Sequence, residues 1–293
     1  MKKRLLTAVM LIALLLLPGC SAGQYPDIAA TTLPVYEFTV RLCQGTELTV
    51  GRLVTENVSC LHEYSLQVSQ MRSIEAADVV VLSGAGLEDF LDDALTGAGA
   101  VIDASAGAEL ICAGHSHGHD DHDRDHHHEE DPHIWLDPEN AKLMARNICS
   151  GLCAQYPEQA AVFEANLAPL LSDLDALQAY GRSVCAELSC RELITFHDGF
   201  SYFAQAFDLT ILEAVEEESG SEASAAQLIG LIELTRSHAL PAIFTETNGS
   251  TAAAQIIAAE TGVQVFTLDM AMAGGSYFDA MYHNIDTIKE ALG

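Results

Sequence analysis

The sequence predicts an α/β protein: two lobes of parallel sheet flanked by helices and joined by one long linking helix. Three observations carry this. Short β-branched or apolar runs alternate with helical stretches, the pattern of βαβ units. Those runs fall into two sets, one on each side of residues 139–188, a stretch without strand character. The chain has 293 residues, 49% of them hydrophobic, enough to bury two such cores.

The N-terminus reads as an address. MKKR is a positive n-region, and the apolar run LLTAVMLIALLLL is too short for a membrane span of roughly 20 residues. Leu17-Pro18-Gly19-Cys20 follows. A small residue before a cysteine resembles the lipobox of bacterial lipoproteins, in which that cysteine is acylated and becomes the first residue of the mature chain. The expected divisions are therefore a signal peptide at 1–19 and a lipid-anchored tether at 20–26, with Cys20 the lipidated residue.

An N-terminal α/β lobe is expected over 27–156. Its strands are ADVVVLSG (77–84) and AVIDAS (100–105), each ending on small residues as buried parallel strands do. A linking helix is expected at 157–188, separated from the helical PENAKLMARNICSGLCAQY by Pro157. The C-terminal lobe, 189–293, carries ELITFHDG (192–199), LTILEAV (209–215), PAIFTET (241–247) and GVQVFTLD (262–269) as strands. Between them, SAAQLIGLIELTRSH places Leu228, Leu231, Ile232 and Leu234 near helical period, and TAAAQIIAAETG ends at a glycine suited to a C-cap. No sequence repeat relates the two sets.

Charge excludes one class of partner. Against 42 acidic residues stand 13 basic ones, so the Lys and Arg patches that phosphate backbones require are missing, and nucleic acid is not expected as a partner. Besides Cys20 there are seven cysteines, an odd number; Cys149 and Cys153 would share a helix face and could meet Cys185 or Cys190, and Cys43 could pair with Cys60.

Metal-type residues gather where α/β proteins bind ligands, at the carboxyl ends of strands. His62 follows ELTVGRLVTENVSC, His133 opens DPHIWLDP, His197 ends ELITF, and Asp269 ends GVQVFTL. Three neutral imidazoles and one carboxylate form a tetrahedral set suited to Zn2+. Each position alone is a weak signal; the coincidence of four carries the reading. Trp135 reads as packing beneath the site, Glu246 as a hydrogen-bonding support for it, and His238 and His283 as helix residues outside it.

The remaining histidines are of another kind. His115, His117, His119, His122, His126, His127 and His128 lie in the segment 113–131, which lacks the apolar residues a core needs and is expected to be a disordered loop. Such a loop could hold zinc weakly in several interchanging ways, or serve as a solubilising spacer.

The phrases HEYSLQVSQMRSIEAADVVVLSGAGLEDFLDD, DPHIWLDPENAKLMARNI, FHDGFSYFAQAFDL and AIFTE resemble the metal-binding lipoproteins of bacterial ABC importers for zinc and manganese, the ZnuA-like solute-binding proteins. The resemblance runs in one order over about residues 27–291. It implies one metal in the cleft between the lobes, bound as transported cargo. The histidines of HEY, DPH and FHD, which are His62, His133 and His197, match the family's histidine ligands. Asp269 matches the carboxylate position, although TLDMAMAGG departs from the commoner wording; water or Glu63 could take that place. Manganese carriers of the family tend to have glutamate where His197 stands, so the resemblance leans to zinc. It further implies a monomer tethered outside the membrane, delivering its ion to an ABC permease with a cytoplasmic ATPase. It also implies that the histidine-rich loop collects or senses metal.

The alternatives are a manganese-carrying relative, an extracellular metal buffer or adhesin, and a zinc hydrolase. The last needs an open metal position and a poised base, and the HExxH motif is absent. No enzyme activity is expected.

Overall fold

The computed structural model describes residues 25–56, 61, 64–111, 130–215 and 223–293. The expected signal peptide, Cys20, His62, Glu63 and the seven loop histidines lie outside the described residues.

The first sheet holds β1 (Ile28–Ala30), β2 (Val50–Arg52), β3 (Val79–Leu82) and β4 (Ala100–Asp103), in the order β2-β1-β3-β4. All pairings are parallel, with Ile28 opposite both Val50 and Val79. The second sheet holds β5 (Glu192–Thr195), β6 (Thr210–Ala214), β7 (Ala242–Glu246) and β8 (Gln264–Leu268), in the order β6-β5-β7-β8, again all parallel. Both lobes thus use the same strand order, a structural repeat without a sequence repeat. In each, the chain steps from the first strand to one neighbour and then crosses back to the other side. The points of reversal lie between β1 and β3 and between β5 and β7, the places where open α/β sheets leave a crevice at their carboxyl ends.

The strands form as their composition dictates. β3 is Val-Val-Val-Leu, with its three valines fully buried, and β7 is buried along its whole length because helices cover both faces. Between the strands run α1 (Leu33–Leu42), α2 (Val68–Ala76), the single turn α3 (Asp92–Leu95), α4 (Pro138–Gln155), α5 (Ala160–Ala186), α6 (Ser201–Ala206), α7 (Ala225–Ser237), α8 (Ala252–Thr261) and α9 (Tyr277–Leu292). Helix α4 starts where a cap and a proline say it should. The Asp137 carboxylate accepts from the Glu139 N–H at 2.8 Å, and Pro138 opens the first turn. It stops at Gln155, before Tyr156 and Pro157, because proline disfavours helical backbone in the residue before it. Helix α8 ends on Gly262 at φ 83°, the left-handed cap that glycine takes without strain.

Helix α5 is the long element between the sheets, 27 residues from Ala160 to Ala186. It packs against α4, α1 and α9. Gly181 on α5 lies against the Phe207 ring, so close that a Cβ there would fall 2.2 Å from a ring carbon. A continuous apolar core runs through both lobes around Trp135, Phe38, Phe163, Phe203 and Tyr277, all fully or nearly fully buried.

The segment after β8 docks the second lobe on the first. The Trp135 indole N–H donates to the Met270 carbonyl at 2.8 Å, Leu33 N–H donates to Met272, and Arg52 donates to Gly274. In return the Tyr277 hydroxyl donates to the Trp135 carbonyl at 2.8 Å. Cys43, Cys149, Cys153, Cys185 and Cys190 are free thiols, so the pairings of Cys149 or Cys153 with Cys185 or Cys190 do not form.

Candidate metal centre

His197 follows β5 directly, and Glu246 is the last residue of β7. They face each other across the point of reversal in the second sheet. The His197 Nδ1 stands 3.6 Å from Glu246 Oε2, an ion-pair distance, longer than a good hydrogen bond. Glu246 is therefore the expected neighbour of His197, at a distance longer than the hydrogen bond expected of it. The Thr195 hydroxyl donates to the His197 carbonyl at 3.1 Å and steadies the turn. Gly199 gives the ring its place: a Cβ there would come within 2.7 Å of His197 Cδ2, 2.9 Å of its Nε2 and 2.5 Å of Met270 Cε.

His133 is not at a strand end. It caps the 3₁₀ turn Ile134–Leu136 that leads into α4, and its side chain is 3% exposed. One carboxylate oxygen of Asp131 receives its main-chain N–H at 2.9 Å and lies 2.8 Å from its Nδ1. The expected loop reached to residue 131, but Asp131 is 2% exposed and belongs to the buried site. The Asp131 contact makes Nδ1 the protonated nitrogen and turns Nε2 into the lone-pair atom. That Nε2 is buried and has no hydrogen-bond partner among the described residues. Trp135 packs against the ring, edge to face, with centroids 5.3 Å apart.

The two imidazoles come together. His133 and His197, from different lobes, have ring centroids 5.3 Å apart at an interplanar angle of 81°. Two imidazoles sharing one tetrahedral ion through Zn–N bonds of about 2.0–2.1 Å would have centroids about 5 Å apart. Asp269 stands just past β8, and its Oδ1 accepts from the Ala271 N–H at 2.7 Å. That bond holds an Asx turn in which Ala271 takes the left-handed φ of 53°. The turn occupies one carboxylate oxygen. Among the described residues no three His, Cys, Asp or Glu side chains converge as a metal cage. His238 and His283 lie away from this pair: His238 contacts Glu192 at 2.9 Å, and His283 sits within α9.

A buried carboxylate also marks the reversal point of the first sheet. Glu88 receives the Thr31 hydroxyl at 2.6 Å, the Ser83 N–H at 2.8 Å and the Gly84 N–H at 2.9 Å. Burial pushes its pKa up to about 7, against those donors, with the Asp103 charge adding to the rise.

Sequence reasoning missed Asp131, which looks like one more acid in an acidic tract. Its signal is the i, i+2 spacing to His133 with proline between. Gly199 was equally silent, since a glycine kept for closeness to a ring reads as a turn.

Two parallel α/β lobes meet at a histidine pair, His133 buried and His197 partly exposed, in the architecture of a metal-binding solute-binding protein. The chain belongs to the family described as zinc-uptake complex component A, periplasmic, whose model matches residues 28–291. A protein of Treponema pallidum (strain Nichols) is 30% identical over 258 residues, 84% of this chain and 81% of that one. The zinc-binding lipoprotein AdcA of Streptococcus pneumoniae (strain ATCC BAA-334 / TIGR4) is 30% identical over 312 aligned residues, covering 99% of this chain and 61% of the relative. The chain thus spans less than two thirds of that protein's length. Among solved structures, a crystal structure of ZnuA is similar at a TM-score of 0.79 and 27% identity, over 92% of this chain and 100% of that one. The Zn(II)-bound ZnuA-like domain of Streptococcus pneumoniae AdcA is similar at 0.76 and 25%, over 92% and 99%.

Proposed function

We propose that this protein captures Zn2+ outside the cytoplasm and hands it, chemically unchanged, to the permease of an ABC importer. The observation that carries the reading is the His133–His197 pair, one imidazole from each lobe at the spacing of two ligands on one ion. His62 supplies the third nitrogen and Asp269 the carboxylate, through the oxygen that its turn does not use; Glu63 or water is the alternative fourth ligand. Three nitrogens favour zinc over manganese, which prefers oxygen and sits lower in the Irving–Williams order. Ligands from both lobes suit a carrier, because parting the lobes divides the ligand set and frees the ion.

The chain is tethered through Cys20 as a monomer. The seven loop histidines form a weaker collecting site. No helix among the described residues is long and apolar enough to cross a membrane.

Zinc uptake tests this. Cells deprived of their own carrier and starved of zinc by a chelator should regain uptake with the wild-type gene and not with His133→Ala or His197→Ala. Full rescue by both variants would remove the carrier reading from this site.

A further inference from the structure

We propose that Tyr202 is a positioning residue for His133, acting from the opposite lobe through the main chain of Asp131. Tyr202 lies on α6, five residues beyond His197, and is 1% exposed. Its hydroxyl uses both of its capacities. It accepts from the Ile111 N–H at 2.9 Å and donates to the Asp131 carbonyl at 3.0 Å. The Ile111 carbonyl accepts from the Asp131 N–H at 2.9 Å and closes the ring of bonds. Burial raises the hydroxyl's pKa to about 12, so it remains a donor at any pH the protein meets.

The clamp reaches His133 in one step. Asp131 is followed by Pro132, which restricts its backbone to extended conformations. With its N–H and C=O both fixed, the direction of its Cα–Cβ bond is fixed too, and with it the point from which the carboxylate reaches His133. Its Oδ1 serves only His133 in the bonds described, and its Oδ2 is buried without a hydrogen-bond partner among the described residues. Among the described residues no hydrogen bond but those to His133 aims that carboxylate, so its aim comes from its own main chain, and Tyr202 holds that main chain. The lobe that supplies His197 therefore also sets the orientation of His133, and the two imidazoles are registered before an ion arrives.

This rests on the zinc-site reading above. The test is a mutant cycle on the full chain, with zinc affinity read by competition with a chromophoric chelator. Tyr202→Phe keeps the ring and removes the hydroxyl; it should weaken zinc by about five-fold, the worth of one net hydrogen bond. In an Asp131→Ala background the carbonyl remains but the carboxylate is gone, and Tyr202→Phe should then cost nothing. Cobalt substitution supplies a second readout: the visible ligand-field bands should shift in Tyr202→Phe and coincide in the Asp131→Ala single and double variants.

An equal loss in both backgrounds, as general loosening would give, overturns the proposal. So does no loss in either. If His133→Ala leaves zinc affinity untouched, the site reading itself fails; if His133→Ala abolishes binding and the cycle is additive, Tyr202 alone loses its role.

Discussion

A single oxygen of Asp131 takes both polar handles of His133, its main-chain N–H at 2.9 Å and its Nδ1 at 2.8 Å. An ionised Asp131 makes Nδ1 the donor and leaves Nε2, the nitrogen proposed to bind the ion, facing away from it. Carboxylate–histidine contacts of this kind typically contribute ten- to a hundred-fold in metal affinity. Asp131→Ala should weaken zinc by roughly that factor while the fold survives, as chelator competition would show. Unchanged affinity would mean that His133 needs no orienting partner.

Gly199 should prove as sensitive as a ligand. A methyl group there would fall 2.9 Å from His197 Nε2 and 2.5 Å from Met270 Cε, closer than real contacts allow. The ring or the loop must move, and misplacement by a fraction of an ångström degrades a four-coordinate site. Gly199→Ala should lower zinc affinity at least ten-fold, by the same order as losing an orienting contact, without removing any candidate ligand. Isothermal titration would reveal a tolerated methyl at once.

In the proposed site, metal choice turns on His197. Replacing it by glutamate exchanges a nitrogen for a carboxylate able to bind through two oxygens and adds a negative charge. Zinc affinity should fall while manganese affinity holds or rises, so His197→Glu narrows selectivity. Titration with both metals decides it; a constant zinc-to-manganese ratio would show that His197 is not a ligand or that geometry rules.

Glu88 makes stability depend on pH. Its folded pKa of about 7 lies above the ordinary 4.5, so between those values the folded state holds a proton that the unfolded state has lost. Its contribution is complete below the unfolded value and is lost as pH rises through about 7, a change of roughly 3 kcal/mol. Glu88→Gln carries no such proton. Relative to the variant, the wild type should therefore lose stability between pH 5 and pH 8, measured by urea unfolding. Parallel pH profiles would contradict this.

The strands that sequence made visible are those with a β-branched or apolar run. Val79–Leu82 and Ala242–Glu246 stand out because burial on both faces demands such residues. Strands β1 and β2 did not, since Ile-Ala-Ala and Val-Gly-Arg are three residues long and carry no period. Pro157 marked the break between α4 and α5 because proline acts locally. The site divides along the same line. His197 was legible at a strand end, and Glu246 with it. His133 was legible from its phrase, although it opens a 3₁₀ turn rather than ending a strand. Asp131 and Tyr202 were not, because their roles depend on which distant main-chain groups the fold brings beside them.

The proposed carrier holds one tight zinc ion at residues outside the histidine-rich segment. It is tested most directly by deleting Gly114–Glu130 and counting zinc per chain by mass spectrometry of the metal, with affinity from chelator competition. Such a site predicts fewer ions in total, one retained tightly, and loss of that ion when His133→Ala is added. A folded deletion variant that binds no zinc tightly, or one whose tight ion survives His133→Ala, would contradict it.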